Sequence, residues 1–178
     1  MGTRLPRSRR RVGSASAGTE LARVLLRVSL GSTMVAHGVK HGRSLEGTAG
    51  WFEAIGFREP ELQARLSWLV EVGAGSALIA GVATPAAASA VIGTMGVAAV
   101  TVHRENGFFV TNEGHEYVLA LAIASAATAA LGGGRFSVDR LLRRDRQLSG
   151  AGAALIAVAG GLAGAAVQLK MFWRRPDR

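Results

Sequence analysis

Three long stretches without a charged residue constrain this 178-residue chain more than any other feature. No Lys, Arg, Asp or Glu occurs in residues 72–103, 117–134 or 147–169. A helix needs about 20 mostly apolar residues to cross a hydrocarbon layer about 30 Å thick. A surface helix of a soluble protein instead carries polar residues along one face. The uncharged stretches therefore predict helices that span a membrane.

The positive charge of the chain is gathered beside these stretches. The formal net charge is +9. Two blocks hold five arginines each: Arg4, Arg7, Arg9, Arg10 and Arg11, then Arg135, Arg140, Arg143, Arg144 and Arg146. Such blocks are typical of cytoplasmic loops, where they also contact anionic lipid headgroups. No motif that reads bases accompanies the charge, so we expect contact with the lipid bilayer and no binding of nucleic acid.

The same pattern predicts an all-α membrane protein in three parts. Residues 1–19 are basic and rich in Gly, Ser and Ala, which predicts a disordered cytoplasmic tail. Residues 20–141 are predicted to form an antiparallel bundle of four transmembrane helices. Within this core, the loop 40–61 carries apolar residues at helical spacing, which predicts an amphipathic surface helix over 46–55. Residues 142–178 are predicted to form a basic loop, a fifth hydrophobic helix over 150–169 and a basic tail.

Lys and Arg counts predict the orientation of the core. The tail and the loop 132–149 hold five each, whereas the loops 40–61 and 104–114 hold three and one. Four spans place the two basic segments on one side, which the positive-inside rule assigns to the cytoplasm. We therefore expect a multi-pass protein whose N-terminus is cytoplasmic.

Ionisable residues inside the spans are the candidates for chemistry, because a charge in a bilayer is costly without a partner or a task. Glu71 lies about nine residues into the second span, roughly 13 Å deep at 1.5 Å per residue. His37, His103 and Glu116 lie near the outer ends of the other three spans. All four residues thus converge on the outer half of the membrane, where His37 or His103 could supply a positive partner for Glu71.

Structural explanations for these residues stay open. A His at the end of a helix is commonly an interfacial or capping residue, and we expect that of His41 and His115. Glu116 suits the dipole at the start of its helix, and a protonated Glu71 could simply bond a neighbouring helix. A metal site made of two His and two Glu ranks below these explanations, so the metal content is unknown. A haem held by the first and third spans ranks lower still.

The chain contains no cysteine. It can therefore form no disulfide and can hold no iron–sulfur cluster with its own thiolates. Any redox chemistry must use a bound cofactor, a quinone or a partner protein.

Six short motifs follow one another between residues 21 and 141: VAHGVK at 35–40, LEGTAGWF at 45–52, LVE at 69–71, TVHRENGFF at 101–109, NEGHEY at 112–117 and GRFSVD at 134–139. In order and spacing they resemble the DoxX family of small membrane proteins. Family members usually have an aromatic residue where His115 stands and end after the fourth helix, so residues 150–178 lie outside the pattern. The resemblance implies a four-helix core in a bacterial plasma membrane and a link to oxidoreduction.

The resemblance also implies a function, since the family takes its name from a subunit of a thiosulfate:quinone oxidoreductase. We expect a membrane subunit of a quinone-linked oxidoreductase system that acts in oxidative or thiol-stress defence. It would bind a quinone or a small redox-active or sulfur compound in the outer half of the bundle. In this hypothesis Glu71 is the catalytic proton carrier, and His37 and His103 contact the oxygens of the ligand. The other candidates for ligand binding are Asn106, Glu116, Trp51, Phe52 and Phe108.

Two other functions compete with this hypothesis. The chain could be a non-catalytic scaffold that docks soluble redox enzymes on the cytoplasmic side through its arginine-rich loops, within a homo- or hetero-oligomer. It could also be a transporter coupled through Glu71, although no inverted repeat or broken helix supports that function. The aromatic residues could equally form an interfacial belt.

The predicted orientation can be tested with reporter fusions. A reporter fused after residue 141 should be active only in the cytoplasm, because the basic loop and the basic tail share one side. A fusion within the loop 104–114 is the matched control and should be active only outside. Periplasmic activity of the first fusion would contradict the four-span core.

Overall fold

The computed structural model describes residues 15–142 and 149–176. Within these ranges the chain is helical and has no β-strand, which confirms the all-α prediction. The helices are α1 (Ala17–Gly42), α2 (Leu45–Ala54), α3 (Pro60–Ala80), α4 (Thr84–Ala98), α5 (Glu116–Leu131), α6 (Val138–Leu141) and α7 (Ala151–Phe172). A π-helical segment, Ala99–His103, continues α4, and the loop after it contains two 3₁₀ turns, Arg104–Asn106 and Val110–Asn112.

The first two helices begin at serine caps. Ser16 accepts a hydrogen bond from the backbone N–H of Thr19 at 3.2 Å, and Ser44 accepts one from that of Gly47 at 3.1 Å. Helix α1 therefore starts inside the segment 1–19 that was predicted to be disordered, and residues 1–14 of that segment lie outside the described residues. The predicted amphipathic helix corresponds to α2.

Helices α1 and α3 pack closely because glycines face each other where the two helices meet. A Cβ atom on Gly75 would lie 2.6 Å from the carbonyl oxygen of Gly31, and one on Gly31 would lie 2.5 Å from that of Gly75. Gly38 approaches the backbone of Val72 in the same way. Small residues let helix backbones come together where packing rather than the hydrophobic effect holds a bundle in lipid.

Helix α7 lies against α4 and α5 and runs the whole length of the bundle. At its start, Gly150 N donates a hydrogen bond to Ala130 O at 2.8 Å. Just beyond its end, Trp173 Nε1 donates one to Ile55 O, next to α2, at 2.7 Å. The predicted fifth hydrophobic helix is therefore packed into the bundle.

A buried arginine ties together one end of the bundle. This end, called the basic end below, comprises the start of α1, the turn between α3 and α4, and residues 132–142. Arg27 is 3 % exposed, and its guanidinium donates hydrogen bonds to four backbone carbonyls, those of Leu78, Ile79, Gly133 and Phe136. A buried charge is tolerated when each donor finds an acceptor. Arg27 thereby fixes α1 to the last turn of α3 and to the segment before α6.

Two helices among the described residues are long and apolar enough to cross a membrane, Thr84–Asn106 and Ala151–Phe172. Helix α5 is apolar but shorter. Helices α1 and α3 carry charged residues within their length, among them Arg27 and Glu71. The number of four spans therefore stays a prediction.

The contact between α1 and α3 predicts the effect of one added methyl group. Gly75→Ala should destabilise the protein by about 1–3 kcal/mol, because the methyl group would overlap the Gly31 carbonyl. The measurement is the melting temperature of the purified protein in mild detergent. Gly73→Ala, on the same helix with open space around the new methyl group, is the control and should not lower it. Equal melting temperatures for both variants would contradict the packing described.

Candidate functional site

A cavity of about 590 Å³ lies at the end of the bundle opposite the basic end. Residues of α1, α2, α3, α4, α5 and α7 line it, and α2 lies at this end, which is called the α2 end below. Much of the wall is apolar, with Met34, Leu66, Val70, Met95 and Leu121 among its residues. Cavities of this size and character are typical of sites for small organic ligands.

Glu71 forms the polar centre of the cavity wall. Its side chain is buried, at 4 % exposure. Glu71 Oε2 lies 2.8 Å from His41 Nδ1, and Oε1 accepts a hydrogen bond from Ser67 Oγ at 3.2 Å. Ser67 precedes Glu71 by one helical turn on α3, and the antiparallel α1 brings His41 beside both. The carboxyl group thus has a partner on each oxygen.

His41 is held in place by its neighbours and keeps one ring nitrogen available. Its ring stacks on Trp51 of α2, with centroids 6.2 Å apart and planes at 22°. Thr48 Oγ1 donates a hydrogen bond to the His41 carbonyl at 3.0 Å. No side chain or backbone group of the described residues is bonded to His41 Nε2. His41 lines the cavity, so this nitrogen is the part of the ring that can form a hydrogen bond with a ligand.

A second polar group of the wall comes from two glutamines on different helices. Gln63 of α3 is 1 % exposed, and its Oε1 accepts a hydrogen bond from Gln168 Nε2 of α7 at 2.8 Å. The Nε2 atom of Gln63 is buried and has no hydrogen-bond partner. Both glutamines line the cavity.

The structure separates the predicted site residues into two groups. One group lines the cavity: Glu71, His37, His103, Trp51 and Phe52. His37 is exposed, whereas His103 is half-buried and its Nδ1 lies 2.6 Å from Glu113 O. The roles predicted for these residues in binding a ligand stay predictions.

The second group comprises Asn106, Phe108 and Glu116, which lie outside the cavity lining. Asn106 Nδ2 donates a hydrogen bond to Val102 O at 3.3 Å, and Glu116 Oε2 accepts one from Val110 N at 2.9 Å. Phe108 contacts the rings of Phe109 and His115 edge to face. In this structure the contacts of all three residues hold the loop between α4 and α5 together.

The sequence did not predict the residues bonded to Glu71 or the glutamine pair. His37 or His103 was the predicted partner of Glu71, and His41 was predicted to be an interfacial or capping residue, but the histidine that contacts Glu71 is His41. One signal could have revealed this group, since Gln63, Ser67 and Glu71 recur every four residues and so share one face of α3. No comparable signal pointed to Gln168.

Two further expectations concern metals and docking. In the described ranges no three His, Asp or Glu side chains lie close enough together to hold a metal ion. The scaffold hypothesis relies on the two arginine blocks, and all of their residues except Arg135 and Arg140 lie outside the described residues.

A comparison with protein families identifies the core of this bundle. The model of the DoxX family matches residues 22–104. Residues 22–104 are a DoxX domain. This assignment agrees with the membrane character that the apolar helices indicate. No curated protein and no solved structure matches the chain.

The DoxX match covers α1 to α4 and ends just after the π-helical segment. It therefore includes the residues around Glu71, namely His41, Trp51 and Ser67. The walls that α5 and α7 contribute to the cavity, including Gln168, lie outside the match.

Proposed function

We propose that this DoxX-domain protein is the membrane subunit of an oxidoreductase system and binds a quinone, or a small redox-active or sulfur compound, in the cavity at the α2 end. The observation that carries the proposal is the contact of the buried Glu71 with the half-buried His41 and Ser67 on the wall of a largely apolar cavity of about 590 Å³. An apolar wall accommodates a ring, and a few placed polar groups orient it. A quinone has this combination of an apolar ring and carbonyl oxygens.

His41 is suited to contact a carbonyl oxygen of the ligand. Glu71 accepts the hydrogen bond from His41 Nδ1, so this nitrogen carries a proton and Nε2 of a neutral ring can only accept. A protonated ring donates from both nitrogens, and its Nε2 would bind a ligand oxygen through a charge-assisted hydrogen bond, which is roughly twice as strong as one between neutral groups.

The same pair can supply a proton. Reduction of a quinone to a hydroquinone adds two electrons and two protons to the two carbonyl oxygens. A protonated His41 ring can give its Nε2 proton to one oxygen while Glu71 accepts the hydrogen bond from Nδ1. The second oxygen takes its proton from water, which also returns a proton to His41. The two electrons would come from a redox protein of the same system, because this chain has no cysteine for thiol chemistry.

Aromatic residues of α2 cover the His41–Glu71 pair on the side that is proposed to face out of the cell. Trp51 stacks on His41 and contacts Phe52 edge to face at 5.1 Å, and Phe52 contacts Phe57 in the same way. Phe52 and Phe57 are buried. With the N-terminus in the cytoplasm, the cavity lies in the outer half of a bacterial plasma membrane, within reach of quinones dissolved in the bilayer.

The proposal predicts that Glu71→Gln lowers quinone affinity while the protein still folds. Gln preserves the size of the side chain but removes the carboxylate that contacts His41 Nδ1, so we expect a loss of about tenfold or more. Affinity for decylubiquinone can be measured by quenching of tryptophan fluorescence in detergent. The same variant should fail to restore resistance to quinone stress in a deletion strain.

Glu61→Gln is the matched control, since Glu61 is an exposed carboxylate in the first turn of the same helix. It should bind quinone and complement the deletion like the unmodified protein. Unchanged binding and full complementation by Glu71→Gln would remove Glu71 from the site and contradict the proposed chemistry.

A further inference from the structure

We infer that α7 takes part in ligand recognition, because Gln168 orients the Gln63 amide so that its Nε2 donates a hydrogen bond to a carbonyl oxygen of the ligand. This inference rests on the proposed function and adds a second polar contact to the one proposed for His41. Gln63 is then a binding residue and Gln168 a positioning residue.

The burial of Gln63 is the first observation behind this inference. Its side chain is 1 % exposed, and its Nε2 has no hydrogen-bond partner. A buried donor left unpaired costs about 1–3 kcal/mol, so such groups are uncommon without a reason. The other two buried side-chain atoms without a partner among the described residues, Arg23 Nε and Thr84 Oγ1, lie at the basic end and do not line the cavity. Gln63 alone of the three borders a space that a ligand can fill.

The contact with Gln168 decides whether the oxygen or the NH₂ group of the Gln63 amide is left for the ligand. Gln168 Nε2 donates to Gln63 Oε1 at 2.8 Å, which directs the Gln63 oxygen toward α7 and leaves the NH₂ group without a protein acceptor. The opposite assignment of both amides would offer the Gln63 oxygen to the ligand instead. A donor at this position selects a carbonyl oxygen, whereas an acceptor selects a hydroxyl group.

The spacing of the two polar contacts indicates the class of ligand. Gln63 and Ser67 are one turn apart on α3, about 6 Å along the helix axis. Ser67 Oγ lies 3.4 Å from His41 Nδ1, so His41 lies beside the second of these turns. A flat ring with carbonyl oxygens on opposite sides, as in a 1,4-quinone, can reach both His41 and Gln63. A compound with one oxygen can reach only one of them.

The test compares two probes that share a ring and differ in their hydrogen-bonding groups. The affinities of 1,4-naphthoquinone and 1,4-dihydroxynaphthalene are measured anaerobically at pH 8 on the full-length protein in detergent. Gln63→Leu should weaken naphthoquinone binding about tenfold, because the donor is lost, and should not strengthen dihydroxynaphthalene binding. Gln168→Glu should reverse the preference between the probes, because a carboxylate only accepts and therefore turns the Gln63 NH₂ group toward α7.

Met171→Glu is the control for the new charge, since Met171 is an exposed position on the same end of α7. It should change neither affinity. If Gln63→Leu binds naphthoquinone as tightly as the unmodified protein, the inference is wrong, and the proposed function is still judged by Glu71→Gln. If the unmodified protein binds neither probe, this inference fails, and a quinone is ruled out as the ligand of the proposed function. Gln63→Leu introduces no charge and decides the question even where Gln168→Glu does not fold.

Discussion

A polar group buried between helices in a bilayer must find its hydrogen-bond partners inside the protein, and this requirement organises the bundle. Arg27 meets it with four backbone carbonyls, which fixes α1 against the end of α3 and the segment 132–137. Facing glycines then keep the two helices in close contact along their length. With one end fixed and the separation set, His41 and Glu71 come to lie side by side at the other end.

The two ends of the bundle meet this requirement differently. At the basic end the Arg27 guanidinium has a carbonyl acceptor for each of its three nitrogens, and Asp139 accepts a hydrogen bond from Ala83 N at 2.6 Å. Two buried atoms at the basic end, Arg23 Nε and Thr84 Oγ1, have no partner among the described residues, but neither residue lines the cavity. At the α2 end His41 Nε2 and Gln63 Nε2 have no such partner either, and both residues line the cavity. The π-helical segment that continues α4 contributes Thr101 and His103 to the same wall, and such segments are frequent at functional sites. The basic end therefore serves the fold, while the α2 end is suited to a ligand.

Much of the helical organisation could be predicted from sequence because its signals are local. The spacing of the aromatics in the loop 40–61 and the uncharged stretch 147–169 placed the helices predicted over 46–55 and 150–169 within a few residues of the observed α2 and α7. The site was less predictable, because pairing across helices depends on how each helix is rotated about its axis. His41 and His37 share one face of α1, and their separate sequence contexts did not show which one meets Glu71. Asn106 and Glu116 form hydrogen bonds with backbone groups at or near their own loop, and these bonds compete with binding of a ligand. The position of a residue along a predicted span does not show such local hydrogen bonds.

The most direct test of a ligand site at the α2 end is photolabelling of the purified protein with an azido-quinone, followed by mapping of the labelled peptides. The structure predicts label on α3 between Gln63 and Glu71 and on α7 near Gln168, since both stretches line the cavity. An excess of unlabelled quinone should abolish this labelling. Label confined to the basic end, or label on α3 and α7 that excess quinone does not displace, would contradict a specific ligand site in this cavity.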